Sequence, residues 1–232
     1  MALPKLETPM HTCVLPSKQE TIQYRPFLVG EQKILLVAQE SENTDDQVTE
    51  MLRVVQSCTD VNVDELSNVD LEYLFLQIRI KSIGETSDVG LQCKECNAEN
   101  RTVVDLSKTE VVGTEEKISN NIQLSDTISL ELRQPSLKHL QEMGTNQTDE
   151  SVFRLLNQTV LTITDGDEVF TRDDFSDKEL DEFIETMSIQ MLEKVQKYLT
   201  NVPKLILSHN FICESCEKDN NYELEGIANF FD

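Results

Sequence analysis

Basic residues are scarce in this chain. Its 232 residues include 20 lysines and arginines against 43 aspartates and glutamates, which gives a formal net charge of −23 at pH 7. A surface of this sign repels phosphate backbones, so the composition argues against sequence-independent binding of nucleic acid. The excess of acidic groups leaves two roles open, namely solubility alone or contact with a partner that has a basic surface.

Proline, glycine and long apolar segments are also few. The 6 prolines, 7 glycines and 38% hydrophobic residues are typical of a folded chain that forms one large domain or two small ones. No segment approaches the roughly 20 apolar residues that cross a bilayer, so we expect no membrane contact. The sequence begins without the basic and apolar regions of a secretory signal. We therefore expect a cytosolic protein.

Catalytic motifs are absent from the sequence as well. It contains no glycine-rich phosphate loop, no nucleophile elbow and no His-Glu-x-x-His helix. The three histidines, His11, His139 and His209, are scattered along the chain. Clustered carboxylates such as Asp173 and Asp174 are typical of helix starts and solvated faces. We therefore expect a protein that is not an enzyme.

Two cysteine pairs with one spacing stand out among the residues that are present. They are Cys93 with Cys96 and Cys213 with Cys216. A Cys-x-x-Cys turn places two sulfurs on one side of a tight loop, so two turns can complete the tetrahedral shell of four thiolates that zinc favours. Four sulfur ligands leave no position open for water, so we predict a structural zinc ion and not a catalytic one.

Other interpretations of the cysteines remain open. The two pairs could be reduced and buried without a metal, whereas disulfides would need an oxidising compartment. A thioredoxin-like redox site is disfavoured, because neither pair opens a helix after a strand and because acidic neighbours raise a thiol pKa. His209 lies near enough to Cys213 in sequence to replace a ligand. Cys13 and Cys58 lie in apolar surroundings that are typical of core residues.

The cysteine pairs also organise the predicted fold. Apolar alternation flanks each pair, so each is predicted to be the turn of a β-hairpin, and two hairpins that share a metal form a zinc ribbon. We predict an α+β fold. Its four segments are an N-terminal hairpin with a helical core (1–86), the first ribbon hairpin (87–112), a mostly helical insert (113–203) and the second ribbon hairpin (204–232). One metal would fix both ends of the insert, which lowers its loop-closure cost.

Periodicity predicts the elements inside the first segment. We expect a hairpin over 12–25, a helix over 31–40 and a second helix that begins at Thr44. A third helix over 66–84 is apolar on nearly every face, so it should be the most buried element. Large-to-small changes in this helix should therefore be costly.

The insert is predicted to begin with a loop and strands and then to become helical. Its expected elements are a loop over 111–121, strands over 122–133, helices over 135–143 and 149–163, a short strand over 168–171 and a long helix over 176–199. A capping box at Ser176 and Glu179 opens that last helix. Its apolar stripe is more typical of a core face than of a partner groove.

Two blocks of sequence resemble a known family. Tyr24–Glu40 (YRPFLVGEQKILLVAQE) and Val69–Glu85 (VDLEYLFLQIRIKSIGE) are similar to two blocks of the baseplate hub assembly proteins of T-even-like contractile-tailed bacteriophages. They occur in the same order and at suitable spacing, and a cysteine pair follows them. The resemblance covers the chain up to that first pair.

The resemblance implies a non-enzymatic assembly factor or minor subunit of the tail baseplate hub. It also implies other hub or tail proteins as partners, with a location in the host cytoplasm during assembly or in the virion tail baseplate. The alternative class is a zinc-ribbon adaptor in transcription or RNA metabolism, which basic hairpin tips would favour. Here the tips mix both signs, with Lys94 beside Glu95 and Lys218 near Glu214.

Overall fold

The protein divides into two compact units. Its structure is a computed structural model that describes residues 6–41, 44–113, 119–137, 139, 149–200 and 203–226. The first unit comprises Met1–Val63, Val69–Val112 and Lys204–Asp232, and the second comprises Asp64–Asn68 and Gly113–Pro203. Helices and antiparallel strands occur in both units, so the predicted α+β class is confirmed.

Helices and strands alternate in groups along the described residues. The strands are β1 (His11–Val14), β2 (Thr21–Tyr24), β3 (Thr86–Gln92), β4 (Glu99–Asp105), β5 (Glu110–Val112), β6 (Asn121–Gln123), β7 (Ile128–Leu132), β8 (Val160–Asp165), β9 (Glu168–Thr171), β10 (Lys204–Ile212) and β11 (Asp219–Glu225). The helices are α1 (Val29–Gln39), α2 (Thr44–Cys58), α3 (Asn68–Ser82), α4 (Asp149–Thr159), α5 (Asp177–Glu185) and α6 (Ile189–Thr200). The hairpin and the three helices predicted for the first segment are therefore present.

An ion pair fixes the bend between β2 and α1. Arg25 donates to Glu31 from Nη1 to Oε2 at 2.9 Å and from Nη2 to Oε1 at 2.6 Å, and only 22% and 15% of the two side chains are exposed. Glu31 also accepts the backbone N–H of Leu28 at 2.6 Å. Arg25 donates in addition to the backbone carbonyl of Ser57 at 2.6 Å. One guanidinium therefore joins the start of α1 to the end of α2.

We expect Glu31→Gln to lower the free energy of unfolding by about 1.5–3 kcal/mol at neutral pH, because Arg25 loses a charged partner. The hydrogen-bonded Arg25 guanidinium holds the pKa of the Glu31 carboxyl below its usual value. Glu31 therefore stabilises the fold fully above the unfolded-state pKa of about 4.3, and this contribution is lost as the pH falls through the lower folded-state pKa.

Urea unfolding of the unchanged protein and of Glu31→Gln, at neutral pH and at a pH of about 3, measures the difference between their free energies of unfolding. Other acid-sensitive groups are shared by the two proteins and cancel when their free energies are subtracted. The difference should shrink in acid. A difference that is the same at both pH values would show that the ionised carboxylate is not what stabilises the bend.

Helix α3 is buried over most of its length, as predicted. Ten of its residues are buried, and Leu74, Phe75 and Ile78 are each at most 1% exposed. Leu76 and Ile80 pack against apolar side chains of the ribbon strands. That cluster also contains Val89, Leu91, Val104, Leu106, Leu207 and Leu224. The helix is therefore the core element on which the two ribbon hairpins rest.

Three charged residues of α3 are buried, namely Asp70, Glu72 and Arg79, and two of them bond to neighbouring elements as follows. Asp70, which is 0% exposed, accepts the backbone N–H of Ser17 at 2.8 Å and also the Ser17 hydroxyl. Arg79 donates to the Ser87 hydroxyl at 2.9 Å and to the carbonyl of Gly84 at 3.1 Å. These bonds join α3 to the turn of the N-terminal hairpin and to the start of the ribbon.

Strand β5 corrects the start of the loop predicted over 111–121, of which 114–118 lie outside the described residues. Glu110–Val112 pairs antiparallel with β10, and Val111 lies opposite Leu205. Three residues are too few for a periodic pattern to identify a strand. The partner strand is also distant in sequence, so no local signal could have indicated the pairing.

A four-stranded antiparallel sheet in the order β6-β7-β8-β9 forms one layer of the second unit. The strands predicted over 122–133 and 168–171 are present in it. Helices α4, α5 and α6 contribute to the same core as the sheet. Its buried members are Ile122, Leu124, Leu130, Leu132, Leu155, Leu156, Val160, Leu180, Ile184, Val195, Tyr198 and Leu199. The apolar stripe of the predicted long helix is therefore core, as expected.

Two predicted helices of the insert differ from the observed ones. The helix over 149–163 ends at Thr159, because the β-branched residues that follow pair with β7 as strand β8. The single helix over 176–199 is interrupted at Ser188, whose carbonyl and hydroxyl both accept the N–H of Met191 and so start α6. The capping box at Ser176 is present. The helix predicted over 135–143 lies largely outside the described residues.

Candidate metal centre

The two ribbon hairpins bring the four predicted cysteines together. Cys93 and Cys96 lie at the β3–β4 tip, and Cys213 and Cys216 lie at the β10–β11 tip. Their four Sγ atoms are all within 4.8 Å of one another. The Cys93–Cys216 and Cys96–Cys213 sulfur pairs, which join different hairpins, are each 3.6 Å apart. None of the four forms a disulfide.

The two tips have the same backbone hydrogen bonds. In each, the first cysteine donates its N–H to the carbonyl five residues later, at 2.8 Å in one tip and 2.9 Å in the other. Its carbonyl accepts the N–H of the residue four positions later, at 2.9 Å in both. That residue is Asn97 or Glu217, with φ of 57° and 56°. This left-handed residue closes the turn, so that both cysteines of the pair lie in one tight loop.

Two asparagines that the sequence analysis missed support the cysteines. Asn100 reaches across to the second tip, where it donates to Cys213 Sγ at 3.6 Å and accepts the N–H of the next residue at 2.9 Å. Asn220 does the same in return, donating to Cys93 Sγ at 3.5 Å and accepting the following N–H at 2.9 Å. Each asparagine stands four residues after the second cysteine of its own pair. That repeated spacing was the available signal.

Hydrogen bonds to sulfur favour some thiolates, while crowding opposes others. The N–H of Cys96 leads a set of bonds that lowers the pKa of Cys93 to about 6. Burial opposes ionisation of Cys213, but N–H groups of its own tip outweigh it and lower that pKa. At Cys216 the N–H of Lys218 favours the thiolate, but burial and three nearby sulfurs raise the pKa to about 12. A bound cation would relieve this crowding of negative charge.

The sulfur geometry fits a four-coordinate metal ion such as zinc. A tetrahedral shell with zinc–sulfur bonds of about 2.3 Å has sulfur–sulfur edges of about 3.8 Å, close to the 3.6 Å distances found here. The bonds from Asn100 and Asn220 are of the kind that orient metal ligands and fix their charge. All four positions around such an ion would be filled by this chain.

His209 lies outside the four-sulfur cluster. Its Nε2 is 2.9 Å from the Thr102 hydroxyl, and its ring stacks beside Phe211 with 6.4 Å between centroids. Burial, followed by the nearby charge of Lys108, lowers its pKa. The residue therefore joins the two hairpins through a side-chain hydrogen bond.

Cys13 and Cys58 are small core residues, as predicted. They are 8% and 2% exposed, and burial is the largest reason why their thiol pKa values rise to about 11 and about 12. The next cause is a nearby carboxylate, Asp70 for Cys13 and Glu31 for Cys58. Both thiols therefore stay protonated at neutral pH.

The fold and the site together define an α+β protein with a zinc-ribbon-like cluster of four cysteines. A family model described as T4 bacteriophage base plate protein matches residues 8–232, and the chain belongs to that family. No curated protein and no solved structure matches the chain. Membership implies contacts with other phage tail or baseplate proteins and a location in the virion tail. Across the described residues, no helix is both long enough and apolar enough to cross a membrane.

Proposed function

We propose that this chain is a non-enzymatic assembly factor for the baseplate hub, present in the host cytoplasm while the tail is built. Family membership supports the baseplate assignment. The same membership supports the non-enzymatic assignment, and the four-cysteine cluster supports a structural role for a bound ion. An ion held by four sulfurs has no position left for a substrate or a water molecule, and such closed sites are structural.

We also propose that one zinc ion binds through Cys93, Cys96, Cys213 and Cys216. These cysteines come from segments on either side of the inserted second unit. A metal shared between them would close the long loop that contains the insertion, which is where a cross-link removes most entropy from the unfolded chain. The zinc would thus cross-link two distant segments of a scaffold that binds other proteins.

The contacts of Lys94, at a hairpin tip, argue against the alternative of a nucleic-acid adaptor. The Lys94 ammonium donates to the carbonyl of Asn221 and lies 4.6 Å from the centroid of the Tyr222 ring. A cation held in this way by its own ribbon is poorly placed to contact phosphates. The net charge of −23 opposes nucleic acid further, which leaves protein partners as the more suitable class.

A pull-down of the tagged chain from phage-infected cells, followed by mass spectrometry, tests the proposal. Other baseplate hub proteins should be enriched over a tag-only control. A phage that lacks the gene should form abnormal hubs. Normal hubs in that phage would remove the assembly role, and tight binding to nucleic acid would favour the adaptor class.

Charge reversal of exposed carboxylates should slow association with a basic hub partner. Suitable positions are Asp167, Glu168 and Asp173, which are exposed. Asp174 and Asp177 are unsuitable. Asp174 Oδ2 accepts the backbone N–H of Thr171 at 2.7 Å, and Asp177 forms an ion pair with Arg172. Changing the three suitable residues to lysine should lower the association rate and reduce its dependence on salt.

A matched triple at Glu7, Glu20 and Asp60, which are exposed in the first unit, changes the net charge by the same amount. Stopped-flow or surface-based kinetics on the captured partner would compare the two triples. A larger effect from the first triple would place the contact on the second unit. Equal rates for both triples and the unchanged protein would contradict electrostatic docking.

A further inference from the structure

Helix α1 is apolar on two opposite faces, and among the described residues only one of these faces is covered. Leu35 and Ala38 are buried, whereas Val29, Leu36 and Val37 are 70%, 53% and 70% exposed. A helix that is hydrophobic on all sides is normally enclosed on all sides. An exposed apolar face of this kind is typical of a surface that contacts another molecule.

The exposed residues form one continuous stripe along α1. Positions 29, 33, 36, 37 and 40 follow the spacing of a single helix face. Lys33 and Glu40 are both exposed, and Glu40 continues the helical backbone at the C-cap with φ −75° and ψ −11°. Neither side chain forms an ion pair in the part of the chain that the structure describes. The stripe thus has an apolar centre and one unpaired charge of each sign.

We propose that this stripe binds the same stripe of a second copy of the chain, in an antiparallel helix pair with twofold symmetry. If the axis passes between Leu36 and Val37, then Leu36 of each copy packs on Val37 of the other. The same register places Lys33 of each copy opposite Glu40 of the other, so the dimer contains two ion pairs. A surface that complements itself in this way is what a twofold dimer requires.

The surrounding charge also favours this face. Two copies with a net charge of −23 each repel one another over most of their surface. From Leu28 to Gln39 the only carboxylate is Glu31, and the guanidinium of Arg25 pairs with it. Glu40 is the one carboxylate of the stripe, and the antiparallel register places it opposite Lys33 and not opposite another carboxylate. Self-association here goes beyond the hub role proposed above and does not depend on it.

Sedimentation equilibrium over a series of protein concentrations tests the dimer. The unchanged protein should show a weak, reversible monomer–dimer equilibrium, because one short helix pair buries little area. Lys33→Glu or Glu40→Lys alone should raise the dissociation constant roughly tenfold, since each change places like charges opposite one another. Leu36→Ser should remove the dimer.

Mixing the two charge variants gives the decisive result. A Lys33→Glu copy beside a Glu40→Lys copy restores two opposite-charge pairs across the twofold axis, so the mixture should dimerise about as well as the unchanged protein. Val169→Ser, at a 58% exposed apolar residue of β9, serves as the control and should leave the equilibrium unchanged. A protein that is monomeric at every concentration would overturn the proposal, and so would a dimer that the charge variants leave unaffected.

Discussion

Replacing Cys213 by serine is expected to abolish the zinc binding proposed above and to lower the free energy of unfolding by about 3 kcal/mol or more. Structural zinc contributes roughly 10–16 kcal/mol to the folding of zinc-finger peptides, and the first unit has a core of its own that can retain part of its stability. Cys213 is 0% exposed, lies 3.6 Å from Cys96 Sγ and accepts the Asn100 amide. Its loss therefore opens the metal shell and leaves that amide without its sulfur acceptor.

Elemental analysis and urea unfolding measure the two parts of this expectation. The purified protein should contain one zinc ion per chain, and Cys213→Ser should contain almost none. Cys96→Ser, in the other hairpin, should lose zinc and stability to a similar extent, because the proposed ion is bound by cysteines of both hairpins. Cys58→Ala provides a matched control, since Cys58 is also buried but lies outside the cluster, and it should keep its zinc. A chelator should reproduce the cysteine variants in the unchanged protein.

Two results would contradict a shared zinc site. Two metal ions per chain would mean that each hairpin binds its own ion. A protein without metal that unfolds at the same urea concentration with and without added zinc would mean that the four thiols are merely packed together. The 3.6 Å sulfur distances between hairpins lead us to expect neither result.

The sequence was enough to predict the cysteine cluster, because one spacing occurs twice and metal chemistry limits what four such thiols can do. It was not enough to identify the asparagines. Asn100 and Asn220 act on the opposite hairpin, at 3.6 Å from Cys213 Sγ and 3.5 Å from Cys93 Sγ. A role that depends on two distant segments meeting has no local pattern, and only the repeated position after each cysteine pair gave a clue.

The accuracy of the element predictions follows the length of the pattern that each rests on. Helix α3 has a long apolar run and was placed within two residues at each end. The three-residue strand β5 was missed, because its partner β10 lies far along the chain. The predicted long helix was divided at Ser188, where a serine that caps a new helix stabilises the break. Apolar periodicity continues across that break, so the pattern alone could not locate it.

The structure gives a physical reason for the composition of the first family block, Tyr24–Glu40. Tyr24 is 1% exposed, and Arg25 and Glu31 form the two-bond ion pair that fixes the entry to α1. The N–H of Phe27 donates to the Ser82 hydroxyl at 2.9 Å. The block thus holds the first hairpin, α1 and the end of α3 together. We infer that its composition reflects this junction, together with the exposed stripe on α1.

Phe75→Ala is expected to lower the free energy of unfolding by about 3–5 kcal/mol, as is usual for removal of a fully buried phenylalanine. Phe75 is 1% exposed, and its neighbours Leu74 and Leu76 are 0% and 2% exposed. A cavity at this position cannot fill with water or close by a surface shift. Phe170→Ala gives the matched control, because Phe170 is 40% exposed in β9, and it should cost far less.

Both variants should be unfolded by urea in the presence of excess zinc, so that metal occupancy is equal and only packing differs. The midpoint for Phe75→Ala should fall while the slope of free energy against urea stays constant, since the same surface becomes exposed on unfolding. A loss no greater than that of Phe170→Ala would show that α3 is not the central core element. Because Leu76 and Ile80 of the same helix pack against the ribbon, a loosened α3 should also release zinc more readily to a chelator. That second effect would link the core helix to the metal centre.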